Sequence, residues 1–266
     1  MNVLLARVVL RPRSVADILD ITAPYCLRGA RILLPLTLAL ALPATLLCYQ
    51  LHTRAGWSYQ NVWILAALIG GLAEGPFTVA AGDLLFSKPI RGRTRHVLGL
   101  FLRRLPSFFM AHLVSRILLV LGGVALFIPL PWIAVRHLFV GEVVLLEHAG
   151  PLESLGRSGR FSRTHGTSCF GMWLSVLSIP LAFVLGAEVM GQSAFSFVLQ
   201  FGEPVGNLFD QGGSAFALFG FFVSVPVIAC ARFLKYIDIR TRREGWDVQL
   251  RFVGIANAGA KVGAKP

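Results

Sequence analysis

The sequence predicts an all-α integral membrane protein with six transmembrane helices in three hairpins, each hairpin preceded by an interfacial amphipathic helix on the cytoplasmic side. Three observations predict it: the composition, the lengths of the apolar runs and the placement of the positive residues. Of 266 residues, 55% are hydrophobic and 14% charged, and the mean hydropathy is +0.69, which does not describe a soluble domain of this size. The net charge of +12 does not point to nucleic acid, because the basic residues lie between apolar runs rather than on a polar module. Anionic headgroups of membrane lipids are the partner it suits.

Residues 1–31 read as a cytoplasmic arm with an amphipathic helix, 32–234 as the membrane domain and 235–266 as a basic cytoplasmic tail. At the start, Arg7 interrupts the apolar letters and no small-residue cleavage site follows, so a cleaved signal peptide is not expected. Residues 14–26 place Val15, Ile18, Leu19, Thr22 and Tyr25 at helical spacing, with Asp17 and Asp20 turned away and Ser14 in position to cap.

The first span is read at 32–51, bent rather than broken by Pro35 and Pro43, and the second at 61–86. A second amphipathic helix is read at 91–105, with Val97, Leu98, Phe101, Leu102 and Leu105 opposite Arg95, Gly99 and Arg103. The stretch 107–147 reads as the third and fourth spans, joined by a tight turn at 127–131 that carries Pro129 and Pro131. A weaker third surface helix, 151–163, holds an i,i+4 pair of Glu153 and Arg157. The fifth span is read at 168–190 and the sixth at 214–234. Between them, 191–213 carries Glu203 and Asp210 but no Lys or Arg, and reads either as a lid on the outer end of the bundle or as a substrate gate.

Positive residues near span ends resist translocation and so set orientation. Five fall in the N-terminal arm, six in the second connection, three in the fourth and eight are assigned to the tail, Arg232 and Lys235 among them, against Arg54 alone on the opposite side. Both termini are therefore expected in the cytoplasm. The basic residues of the surface helices, Arg91, Arg93, Arg95, Arg103, Arg104, Arg157, Arg160 and Arg163, suit anionic headgroups at roughly 1 kcal/mol each; the alternative is that they only enforce orientation.

Arg116 and Arg136 lie inside spans, where hydrocarbon tolerates charge only with partners or water. Counted from the inner ends at ~1.5 Å per residue, Arg116 lies roughly 14 Å deep, Arg136 roughly 16 Å and Glu74 roughly 18 Å. That depth match predicts one polar cluster of Glu74, His112, Arg116, Arg136 and Glu142. It reads either as interhelical glue or as an anion or proton site. Gly71 and Gly75 flank Glu74 at the GxxxG spacing that lets helices approach closely, and Gly171 with Ser175 and Gly220 with Ser224 repeat it.

Cys26, Cys48, Cys169 and Cys230 fall in four separate segments without CxxC or Cys/His ligand spacing, so no disulfide framework, metal or other cofactor is expected. HExxH, GxSxG, GxGxxG and GxxxxGK[ST] are absent, so the chain is not expected to be an enzyme. In the tail, Trp246, Val248, Leu250 and Phe252 alternate with polar residues at strand-like spacing.

Glu147, the segment 152–158 with Arg157 and Ser158, and a tail carrying Asp238, Arg240, Arg242, Arg243, Glu244 and Trp246 together resemble one family. The chain is similar to multi-span bacterial proteins related to the membrane region of glycerophosphoryl diester phosphodiesterases. The resemblance implies a bacterial inner-membrane protein; it carries over no hydrolytic chemistry, since a soluble catalytic domain is not part of this sequence. The resulting expectation is a polytopic accessory or scaffold subunit of a membrane assembly with a protein partner. The alternative is a transporter or exporter of a small anionic or lipid-like molecule.

Overall fold

In the computed structural model, residues 13–86, 93–124, 129–198 and 206–244 are described, and no strand occurs among them. Helix α1 (Val15–Arg28) begins at a capping box: the Ser14 hydroxyl oxygen accepts from the Asp17 N–H and the Asp17 carboxylate accepts from the Ser14 N–H, each at 3.1 Å. After Gly29 the chain enters α2 (Ala30–Thr53), which contains Pro35 and Pro43 without interruption. Then follow α3 (Tyr59–Phe86), α4 (Arg93–Val124), α5 (Pro129–Arg136), α6 (Val140–Leu146), α7 (Pro151–Thr164) and α8 (Gly166–Ser193). A π-helical turn at Ala194–Val198, the single turn α9 (Leu208–Gln211) and α10 (Ala215–Glu244) complete the described residues.

Five of these helices, α2, α3, α4, α8 and α10, are long and apolar enough to cross a membrane. Their outward faces carry exposed leucines, for example Leu34, Leu38, Leu42 and Leu46 on α2 and Leu174, Leu177, Leu181 and Leu185 on α8. Contiguous apolar surface of this kind is suited to lipid rather than water. The chain is thus a multi-pass membrane protein.

Helix α10 is the axis of the bundle. It packs most extensively on α8 and then on α3, α2 and α1. Two apolar cores lie along it. The larger joins Ile18, Phe77, Leu85, Val97, Phe139, Phe233 and Tyr236, and the smaller, towards the other end, joins Ala41, Cys48, Val62, Ala66, Leu218 and Phe222. Close approach of α3 to α4 depends on glycine: a Cβ at Gly71 would stand 2.5 Å from the His112 ring, and one at Gly75 would overlap Phe101. At Gly220 a Cβ would overlap the Phe183 carbonyl oxygen, which brings α8 and α10 together; Gly171 meets only Val15, at 3.5 Å.

Three sequence expectations change. From Arg93 on, the stretch read as the second surface helix and the one read as the third span form a single helix, α4, because Pro106 is accommodated within it and nothing breaks the backbone there. The stretch read as the sixth span has no boundary at 234, since α10 runs on to Glu244 with Asp238, Arg240, Arg242 and Arg243 on it.

The stretch read as the fourth span is instead two short helices, α5 and α6, separated at residues 137–139. There the helical ladder tightens: the His137 N–H is shared between the carbonyls of Ile133 (3.0 Å) and Ala134 (3.2 Å), and the Leu138 N–H turns to Val135 at 3.4 Å. The backbone groups freed by the break are taken up by serines of α7. The Ser158 hydroxyl donates to the Arg136 carbonyl (2.7 Å) and accepts from the Phe139 N–H (3.1 Å), while the Ser162 hydroxyl donates to the Val135 carbonyl (2.6 Å). Satisfying those groups internally is what allows a break in an apolar setting. It also explains why α7, read as a surface helix, buries Ser154, Ser158, Gly159 and Ser162.

The connection after α8 is fastened by Glu188, which is 1% exposed. Its carboxylate accepts from the Leu208 N–H (2.8 Å), from Gln192 Nε2 (3.1 Å) and from the Ser214 hydroxyl. On the opposite side of this connection the Trp63 indole N–H donates to the Gly212 carbonyl at 2.9 Å. The strand-like stretch read at 246–252, with Trp246, lies outside the described residues, as do Arg91 and Glu203.

Candidate functional site

A cavity of about 160 Å³ lies between α3, α4, the α5–α6 break, α8 and α10. Helix α3 contributes Glu74. From α4 come His112 and Arg116, one turn apart on the same face, with Ser115 beside them. The break contributes His137, α8 contributes Trp173 and Leu177, and α10 contributes Arg232.

The charges sort into two groups. Arg232 donates from Nη1 to Glu74 and from Nη2 to Glu142 Oε2, the latter at 3.0 Å, so one guanidinium bridges carboxylates on α3 and α6. Glu142 is 1% exposed, and its second oxygen, Oε1, has no hydrogen-bond partner among the described residues. Arg116 lies apart from this bridge: its Nε–H donates to His112 Nε2 at 3.2 Å. A guanidinium only donates, so that imidazole nitrogen accepts and His112 is uncharged. No described carboxylate lies within ion-pair distance of Arg116. A half-buried guanidinium bonded to a neutral ring, with the carboxylates hydrogen-bonded to Arg232, leaves its remaining N–H donors on the cavity wall.

Of the five residues read as one cluster, the structure brings together Glu74, His112 and Arg116 on the cavity wall, and Glu142 reaches them through Arg232. Arg136 does not join them. Its guanidinium lies 4.5 Å over the Trp132 ring and against Gly159 of α7, in a separate groove with Arg163 and Phe170. The depth match that grouped it says nothing about direction around the helix, and six residues of α-helix already turn a side chain roughly 120° away from its partner. Sequence reasoning missed Arg232 by counting it with the tail. The signal was present, because residue 232 lies within the run 214–234 read as the sixth span.

A second polar focus forms where α6 ends. Glu147 accepts from Arg157 Nη1 at 2.6 Å and from the Tyr236 hydroxyl, and Arg240 Nη1 lies 3.6 Å away. Glu153 also pairs with Arg157, at 3.0 Å. The Glu147 carboxylate raises the Arg157 pKa above its ordinary value. Residues named separately in the sequence, Glu147, Arg157 and Arg240, therefore meet at one place.

Asp238, 4% exposed, accepts from Lys235 Nζ (2.8 Å), Arg242 Nε (3.2 Å) and the Arg13 N–H (2.8 Å). Arg242 also donates to the Arg13 carbonyl at 2.7 Å, so the start of the described chain is clamped to the end of α10. Of the other basic residues read as a collar, Arg95, Arg103, Arg160 and Arg163 are exposed, Arg104 is half-buried and Arg93 opens α4.

Among the described residues no group of three His, Cys, Asp or Glu is placed to hold a metal ion, and the four cysteines are free thiols. Comparison of the chain with protein-family models, with curated proteins and with solved structures gives no match.

Proposed function

We propose that this chain is a bacterial inner-membrane carrier that binds a small anionic or lipid-like molecule in the cavity beside Arg116. The observation that carries the reading is the division of charge: Arg232 takes both carboxylates, and Arg116 is left with a neutral imidazole. Arg116 forms no ion pair with those carboxylates, so its remaining N–H donors are open to the oxygens of an anion in the cavity. The walls support an apolar substituent on that anion. Leu119 of α4 and Leu177 of α8 both line the cavity, and α4 and α8 make no extensive contact, so a seam rather than a packed interface separates the cavity from lipid.

The topology proposed with it is six spans in three hairpins, α5 and α6 together forming the broken fourth, with both termini in the cytoplasm. The excess of Lys and Arg on one side supports the orientation. Labelling single cysteines introduced at Arg54 and at Arg160 from each side of the membrane tests it: reaction of both from the same side would overturn it. The kinship to the membrane region of glycerophosphoryl diester phosphodiesterases is proposed on Glu147, the segment 152–158 and the tail with Asp238, Arg240, Arg242, Arg243, Glu244 and Trp246. No reaction is assigned. The scaffold reading relied on the tail, most of which lies outside the described residues.

Mass spectrometry of the full chain extracted in mild detergent tests the carrier reading. A small anion or anionic lipid retained in stoichiometric amount by the wild type and by Arg136→Gln, and lost by Arg116→Gln, is the expected result. Absence of such a molecule, or its full retention by Arg116→Gln, would overturn the reading.

A further inference from the structure

Four arginines from two helices converge on one pocket away from the central cavity. Arg157 and Arg160 of α7 and Arg240 and Arg243 of α10 line it, together with Phe161 and the carboxylate of Glu147. Its volume, about 570 Å³, falls within the range of roughly 300–1,000 Å³ typical of small-molecule sites.

Three of the four arginines are held rather than splayed. Arg157 is fixed by Glu147 and Glu153, Arg240 lies 5.7 Å over the Tyr236 ring and 3.6 Å from Glu147, and Arg243 lies 5.4 Å over the Phe161 ring. Tyr236 in turn donates to Glu147, which fixes the carboxylate at the centre. Glu147 is the one acid of the pocket lining, and with Glu153 counted as well the four guanidiniums still exceed the acids around them.

Residues that served orientation alone would gain by spreading into water, since two like charges ~4 Å apart repel by about 1 kcal/mol even at the dielectric of water. Ring contacts and a shared carboxylate keep Arg157, Arg240 and Arg243 together. A planar fork of N–H donors matches the oxygens of a phosphate, and several such forks around one volume make a site that a lone surface arginine does not.

We infer that the pocket between α7 and the end of α10 binds a phosphate-bearing anion, with Arg160 and Arg243 as direct cationic contacts and Arg157 and Arg240 positioned by Glu147. The ligand chemistry is a phosphate ester or diester, and its source is either an anionic lipid headgroup or a soluble phosphate compound. The site is independent of the Arg116 cavity.

The test uses the full chain in nanodiscs of phosphatidylcholine. Its thermal unfolding midpoint is measured with inorganic phosphate added, and again in nanodiscs that contain phosphatidylglycerol. Stabilisation by the lipid but not by phosphate assigns the site to a headgroup, and stabilisation by phosphate in the neutral disc assigns it to a soluble anion. In Arg160→Gln/Arg243→Gln, both exposed positions without a described carboxylate partner, the response is expected to need roughly tenfold more ligand or to vanish. Arg54→Gln, at an exposed arginine outside this pocket, leaves it unchanged. The proposal is overturned if neither probe stabilises the wild type, or if the double variant responds as the wild type does.

Discussion

Arg232 on α10 and Glu142 on α6 are joined by a 3.0 Å ion pair in which the carboxylate is 1% exposed. The same guanidinium also holds Glu74 on α3, so one side chain ties three helices at the centre of an apolar bundle. Two carboxylates, Glu142 buried and Glu74 half-buried, then depend on a single cation.

Replacing Arg232 with Met removes that cation and leaves both carboxylates uncompensated. Loss of one partner of a buried pair costs about 3–5 kcal/mol, so Arg232→Met is expected to lower the unfolding midpoint in detergent strongly. Adding Glu74→Gln and Glu142→Gln to the same chain should recover much of the loss. A single variant as stable as the wild type, or a triple variant no better than the single, would show that the bridge does not hold the helices.

Ser158 bears on the break between α5 and α6. Its hydroxyl serves the Arg136 carbonyl and the Phe139 N–H at once, and Ser158→Ala strands both in an apolar place at a cost of about 1–3 kcal/mol. Hydrogen exchange of residues 135–140 is expected to quicken in this variant. Unchanged exchange there would mean that the break is stable without α7.

Gly71 sets the distance between α3 and α4. A methyl group there meets the His112 ring at 2.5 Å, and overpacking of this kind costs about 1–3 kcal/mol. Gly71→Ala should therefore destabilise the protein and displace the Arg116–His112 pair. Gly99→Ala on α4, where a Cβ meets nothing within 4 Å, should be neutral or slightly stabilising through helix propensity, by up to about 1 kcal/mol. Equal effects at the two positions would argue against a close contact at Gly71.

Much of the frame was legible because it follows from one-dimensional properties. The length and polarity of residues 32–51 or 61–86 mark them as apolar helices whatever they pack against. Ser14 marks a helix start through chemistry confined to one turn. His112 and Arg116 were legible as neighbours for the same reason, being four residues apart on one helix. The break at 137–139 was not legible, because its cause is on another helix: Ser158 and Ser162 supply the partners that a straight α-helix would have found in itself.

The amino-acid sequence by itself determined the class of this protein, its long apolar helices, the placement of its positive residues between apolar runs and the glycine spacing on α3 that allows close helix approach. Only the tertiary structure decided which charges meet. Arg136 and Arg232 are both arginines within apolar runs; the first lies over Trp132 and the second bridges Glu74 and Glu142. Sequence gives position along a helix, whereas pairing depends also on direction around it and on the bend of the partner, and both are set by packing.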